Sequence, residues 1–160
     1  MQLDRGRPYA GVVIVSMHVA TGAVGGLLTG SRIGAVLLGP VLHFVGDRIP
    51  HQDIASRPFE IASGVGGVLA LALTRGPFDP TTVGAVASAA PDLEHVVRLP
   101  RPGGRKLFPS HRNPGWHPPG GVSATVQLLV AGALLGAVLA TRIPYRQPSE
   151  SSHGRATVET

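Results

Sequence analysis

The sequence predicts an all-α protein: an integral membrane bundle of about four to five short transmembrane helices with a Pro/Gly-rich basic loop on the cytoplasmic side. Three observations lead there. Charged residues make up only 14% of the 160-residue chain, against about 25% in an ordinary soluble domain. Adding Gly to the 43% of hydrophobic residues brings the apolar share to roughly 56%, above the usual range of about 45–50%. That material is gathered into a few nearly charge-free runs, which carry small residues at four-residue spacing. A soluble all-α bundle is the alternative, because the middle runs are no longer than the buried helices of a soluble core.

The first run, Tyr9–Ser31, and the last, Gly120–Thr141, reach the roughly 20 residues that cross a bilayer. Between them lie Ile33–Gly46, Ile61–Thr74 and Pro80–Ala90, the last of these continuing to Val97. Asp47-Arg48-Ile49-Pro50 ends the second run, Arg75-Gly76-Pro77 the third, and Arg101-Pro102-Gly103-Gly104 interrupts the chain after the fourth. No run has the charged outer face that a soluble amphipathic helix needs. Gly22, Gly26 and Gly30 share one face of the first run, Ser63 and Gly67 of the third, Gly84 and Ser88 of the fourth, and Gly132 and Gly136 of the last. Such faces let helices touch closely in lipid. Leu99–Gly121 is a loop dense in Pro and Gly that holds Arg101, Arg105, Lys106 and Arg112. The helical domain spans 1–142, and residues 143–160 form a polar, Ser-containing tail expected to be disordered.

Basic residues set the orientation of the five spans. Arg5, Arg7, Arg48, Arg57, Arg98, Arg101, Arg105, Lys106 and Arg112 fall on one side, and Arg32, Arg75, Arg142, Arg146 and Arg155 on the other. The expected location is therefore the inner (plasma) membrane, multi-pass, with the N-terminus in the cytoplasm. A cleavable signal peptide is the rival reading of the first run, and translation from Met17 is another.

The absence of Cys excludes disulfides, zinc–thiolate sites and a cysteine nucleophile. Any metal is held by His and carboxylates. His43 and Asp47 stand at i, i+4 on one helical face and can share a ligand, and Pro50 turns His51 and Asp53 back toward the same end. Asp92 and His95 are i, i+3 neighbours after Pro91, with Glu94 between them. His111 and His117 lie in the basic loop, and His18 stands alone in the first run. A capped helix end, a solvated acidic turn, loop histidines beside an interfacial Trp116 and a hydrogen-bonded core His18 are the plain structural alternatives. On the five-span topology all three clusters fall on the cytoplasmic side. The metal candidates are then His18, His43, Asp47, His51, Asp92, His95, His111 and His117, a set suited to a divalent ion, zinc first, with manganese or iron as alternatives. A metal would lower the pKa of bound water, with Asp47, Asp53 or Glu94 as general base. Arg112, Arg105 and Lys106 would neutralise an anionic group.

Met17-His18-Val19-Ala20-Thr21-Gly22, Pro91-Asp92-Leu93-Glu94-His95 and His111-Arg112 together resemble motifs of the bacterial inner-membrane family of membrane-bound, metal-dependent hydrolases. Those motifs are an opening His before a Gly-rich span, a Pro-Asp-x-Asp-His turn and the start of a His-Arg-Gly-x-Thr-His segment. His43 to Asp53 is similar to the His-x3-Asp-x2-Pro-His-x-Asp form of related small membrane proteins. The likeness covers about residues 17 to 120. The interval from His111 to His117 is one residue longer than the family's, and Gly115-Trp116-His117-Pro118 replaces Thr-His-Ser. The resemblance implies a membrane-embedded metal-dependent hydrolase, and the basic residues Arg105, Lys106 and Arg112 point to an ester or phosphoester substrate at the cytoplasmic face, phosphoester lipid first. The bilayer, and anionic lipid head groups in particular, are the expected partners. A metal-stabilised scaffold that recruits an acidic partner through the basic loop is the alternative, ahead of a transporter. Specific nucleic-acid binding is not expected, since a basic loop without a recognition helix gives only non-specific attraction.

Overall fold

The computed structural model describes residues 14–141 apart from 53, 55, 98 and 117–119. The predicted tail, the N-terminal Arg5 and Arg7, and the candidates Asp53 and His117 lie outside the described residues. Among those described there is no β-strand; every regular element is helical.

Helix α1, Val15–Thr29, ends at Gly30, whose φ of 57° lets its N–H reach the Gly26 carbonyl at 3.0 Å and reverses the chain. Helix α2, Arg32–Asp47, follows at once, with the Ser31 hydroxyl accepting from the Gly34 N–H at 3.3 Å as its cap. Helix α3, Arg57–Arg75, carries Pro58 and Glu60 in its first turn and Arg75 in its last, in accord with the helix dipole. The Asp79 side chain accepts from the Thr81 N–H at 2.8 Å to start α4, Pro80–Ala89. Pro91 cannot continue that helix. The chain tightens there into a 3₁₀ turn, Ala90–Asp92, and resumes as the single turn α5, Leu93–Val96. The basic loop contains two 3₁₀ turns, Pro102–Gly104 and Pro114–Trp116, with the one-turn α6, Pro109–Arg112, between them. Helix α7, Ala124–Ala140, capped by Ser123, closes the bundle.

Helix α1 is central. Its buried Val19 and Ala23 meet Leu71 of α3, Ala85 of α4 and Val138 of α7 in the core. Helices α1 and α4 lie backbone to backbone: a Cβ built on Gly26 would lie 2.0 Å from the Pro80 carbonyl oxygen, and one on Gly22 2.3 Å from the Gly84 carbonyl oxygen and 2.5 Å from the Ser88 Cβ. The small faces expected on the first and fourth runs therefore face each other. Gly132 and Gly136, by contrast, look into open space.

Alternation of direction puts the start of α1, the end of α2, the start of α3, the end of α4 and the start of α7 at one end of the bundle. The loop folds over that end. Trp116 packs edge-on against Phe44, with ring centroids 5.6 Å apart, and the Arg48 guanidinium lies 5.3 Å from the Trp116 ring. His51 pairs with Val122 in an isolated parallel bridge, and the Gln127 amide donates to the Gln52 carbonyl at 2.8 Å.

The predicted transmembrane bundle is not supported: no helix among the described residues is long and apolar enough to cross a membrane. The reason is length first. At about 1.5 Å per residue, α1, α2 and α7, with 15, 16 and 17 residues, are about 22–26 Å long and fall short of a hydrocarbon core of about 30 Å. Helix α4 has only 10 residues. At 19 residues α3 has the length, but Arg57, Glu60, Arg75 and its Gly and Ser residues leave it too polar. The corrected fold class is an all-α bundle, and the multi-pass inner-membrane location loses its basis. The first low-charge run suggested a span because it counted the Gly30 turn and the Ile14 cap position as helix.

Candidate metal centre

Four segments bring donor atoms to the loop-covered end. His18 stands one turn into α1, His43 and Asp47 on the last turn of α2, Asp92 in the 3₁₀ turn after α4, and His111 in α6. All five side chains are between 0% and 6% exposed. The i, i+4 spacing puts His43 Nε2 3.3 Å from Asp47 Oδ2. His18 Nε2 lies 3.3 Å from the other Asp47 oxygen and 4.0 Å from Asp92 Oδ2. Asp92 Oδ1 lies 3.8 Å from His43 Nε2 and 3.7 Å from His111 Nε2, which is itself 3.5 Å from Asp47 Oδ2.

These separations fit a shared ion. Donors about 2.1 Å from one metal stand about 3.0–3.4 Å apart when adjacent and about 4.2 Å apart when opposite, which brackets these pairs, and the donors fall into groups of three: His18, His43 and Asp92, and His43, Asp47 and His111. The tautomers point the same way. His43 Nδ1 donates to the Ser88 carbonyl at 2.7 Å, and His111 Nδ1 donates to Glu94. Each neutral ring then presents the lone pair of Nε2, and those two nitrogens are 3.2 Å apart. Two lone pairs at that distance, beside two carboxylates, call for a cation between them. Neither Asp92 oxygen, nor His18 Nε2, makes a hydrogen bond within the fold. These buried His and Asp groups can hold a divalent metal ion.

Burial pushes His18 down to about 4, against the pull of Asp47, so it is neutral at physiological pH. Burial likewise lowers His111, with Glu94 and Asp47 opposing. At His43 burial also disfavours the cation, but Asp47, Asp92 and the Ser88 carbonyl outweigh it and the pKa rises. Asp92 is pushed up to about 7, chiefly by burial and then by Asp47, Glu60 and Glu94, while His43 pulls the other way. Two carboxylates crowded together without a metal cannot both ionise easily.

Around these donors stands a supporting layer. Glu94 accepts from the Leu107 N–H at 2.6 Å and the Phe108 N–H at 3.3 Å as well as from His111. Burial alone would raise its pKa, but these bonds lower it, so it is an anion fixing the His111 ring. Ser110 donates to Asp47 Oδ2, and Phe108 meets the His43 ring edge-on.

The structure thus brings together five of the predicted ligands: His18, His43, Asp47, Asp92 and His111. His95 packs against the His111 ring, with centroids 4.4 Å apart, and forms a group with Asp92 and His111, but Lys106 Nζ donates to its Nδ1 at 3.2 Å. His51 joins none of the donor groups found among the described residues; its Nδ1 donates to the Ile49 carbonyl at 2.5 Å. Of the groups expected to act in catalysis, Asp47 lies within the donor set and Glu94 behind it. Arg112 is exposed, its Nε donating to the Lys106 carbonyl at 2.6 Å. Sequence reasoning missed Ser110 and the Ser88 carbonyl. A serine beside a loop histidine and a main-chain oxygen carry no pattern of their own, and both acquire a role only once α4 and the loop are placed.

No family model, curated protein or solved structure matches this chain.

Proposed function

We propose that the protein is a divalent-metal-dependent hydrolase of an ester or phosphoester bond. The convergence of three buried imidazoles and two buried carboxylates, with both Asp92 oxygens and His18 Nε2 making no hydrogen bond, carries the reading. Five donors exceed the four of a closed structural zinc site. His18, His43, Asp47, Asp92 and His111 would hold the ion, and a six-coordinate ion such as manganese or iron, or zinc with fewer of them, would have room for water. An ion held there supplies a lowered pKa for water and a Lewis acid for the carbonyl or phosphoryl oxygen.

The chain's own residues do the rest. Burial keeps His18 and His111 neutral, and the bonds from Nδ1 of His43 and His111 to a carbonyl and a carboxylate turn Nε2 of each ring toward the site, where at His43 a metal would displace the proton that Asp47 and Asp92 favour. Asp92 has two oxygens and no competing donor, so one can ligate while the other receives the proton of water. Glu94 keeps His111 in the tautomer that faces the site.

The depth of burial favours a second reading, in which the ion clasps the basic loop to the bundle as a scaffold without turnover. One preparation separates the two. Metal analysis of the purified protein should find bound metal in the wild type and little in a His43→Ala, Asp92→Ala double variant, with helical content preserved. Turnover on a panel of esters and phosphoesters should vanish in Asp47→Asn and on chelation. Stoichiometric metal with no turnover across the panel would support the clasp and end the hydrolase reading.

A further inference from the structure

The side of the centre at which His95 stands is its least buried, since Asp92 there is joined by the half-buried His95 and by His111. Cations crowd that side. Lys106 is half-buried, and its ammonium reaches His95 Nδ1 at 3.2 Å and Nε2 at 3.5 Å. Arg101 donates to the Glu94 carbonyl at 2.8 Å, Arg57 to the His95 carbonyl, and Arg112 to the Lys106 carbonyl at 2.6 Å. The exposed Arg105 adjoins Lys106 in the chain. Each of the three bonded guanidiniums is thus pinned to main chain beside the centre and keeps N–H groups to spare.

None of these five cations forms an ion pair with a carboxylate among the described residues; the ion pairs there are made by histidines. The carboxylates that act on Lys106 are Glu94, Asp92 and Asp47, and a divalent ion would balance the last two. Among the described residues positive charge then exceeds negative on this side. Gathering like charges costs energy, and sinking an ammonium to half-burial beside a ring rather than a carboxylate costs more. An anion that the fold itself does not supply would relieve both costs.

We propose that Lys106, with Arg101 and Arg112, receives the anionic phosphoryl group of the substrate, so that the site hydrolyses phosphoesters rather than neutral esters. The proposal rests on the hydrolase reading for its second half only, since the receptor is a binding site in its own right. Arg guanidiniums match a phosphoryl group with paired N–H bonds, and the lysine adds a point charge on the side facing Asp92.

The test uses the metal-loaded full-length chain, with inorganic phosphate titrated calorimetrically and para-nitrophenyl phosphate compared with para-nitrophenyl acetate. Lys106→Ala should weaken phosphate binding on the order of 10- to 100-fold with metal content unchanged, and Lys106→Arg should restore most of it. The phosphate ester should be turned over in preference to the acetate, and KM for the phosphate should rise in Lys106→Ala. Arg32→Gln, at the opposite end of the bundle, should match wild type. Phosphate affinity indifferent to Lys106 would overturn the receptor. Preference for the acetate would overturn the substrate assignment. Lys106-dependent phosphate binding with no turnover of either ester would uphold the receptor while removing the hydrolase reading.

Discussion

Asp92 carries a cost in the metal-free fold: a carboxylate 4% exposed whose oxygens meet no donor. In the unfolded chain it loses its proton near 3.8, and in the metal-free fold only near 7. Between those values the fold holds the extra proton, so this residue makes stability fall as pH rises through the window and leaves it level above about 7. His18, moved from 6.5 down to about 4, does the opposite: stability grows as pH rises from about 4 to 6.5. The two trends oppose each other in acid, and near neutrality His43, whose pKa is raised above 6.5, adds to the fall that Asp92 produces. Metal binding needs Asp92 ionised. The rise in Tm produced by a fixed, subsaturating concentration of zinc or manganese should therefore shrink as pH falls below about 7. Asp92→Asn should abolish that rise, yet make the metal-free protein more stable than wild type at pH about 8, by about 1–3 kcal/mol. Thermal melts over a pH series check both, and a less stable metal-free Asp92→Asn would refute the account of the buried charge.

Between elements, the α1–α4 contact decides how closely His18 and Asp92 approach. Gly22 lies one turn beyond His18, and Gly84 faces it across 2.3 Å measured from the position a Cβ would take. Gly22→Ala would gain about 1 kcal/mol of helix propensity, but it must push the facing backbones away from each other, and a net loss of about 2 kcal/mol is expected with weaker metal binding. Gly132→Ala meets nothing within 4 Å and should stabilise by up to about 1 kcal/mol. Denaturant titrations of both variants measure the contrast. The helix positions were legible in the sequence because Gly, Pro and charge interrupt the apolar runs where chain direction changes. The partnership of Gly22 with Gly84 was half legible, as two small faces without an address. Membrane spanning was misread because charge-poor length and helical length are different quantities, and Gly30 separates them. In the site, the i, i+4 pair and the Asp92 turn could be read from spacing. Glu94 as a prop for His111 could not, since the bond depends on where a Pro/Gly-rich loop lands.

Across the whole molecule, apolar side chains remain outside: Ile33, Leu37, Val41 and Val45 form an exposed stripe along α2, and Leu69 and Leu73 another on α3. The interior is correspondingly thin, with small residues at its tightest contacts, so cohesion leans on the polar end. A metal there would join segments far apart in the chain, His43 and His111 being 68 positions apart and His43 and the Ser88 that orients it 45. Closing such loops is an entropic cost that must be met before the contacts they allow are made. The order of assembly follows. The α1–α2 hairpin aligns His18, His43 and Asp47 through a two-residue turn, α4 adds Asp92 after a longer excursion, and the segment bearing His111 docks last. In pulse-labelled refolding the amides of α1 and α2 should be protected before those of 107–112, and added metal should leave the first phase unchanged while accelerating completion of the second. Unfolding runs the same film backwards: the loop must lift before the helices separate, so an ion bound beneath it acts as a latch on the exit from the native state and sets how long the folded molecule lasts.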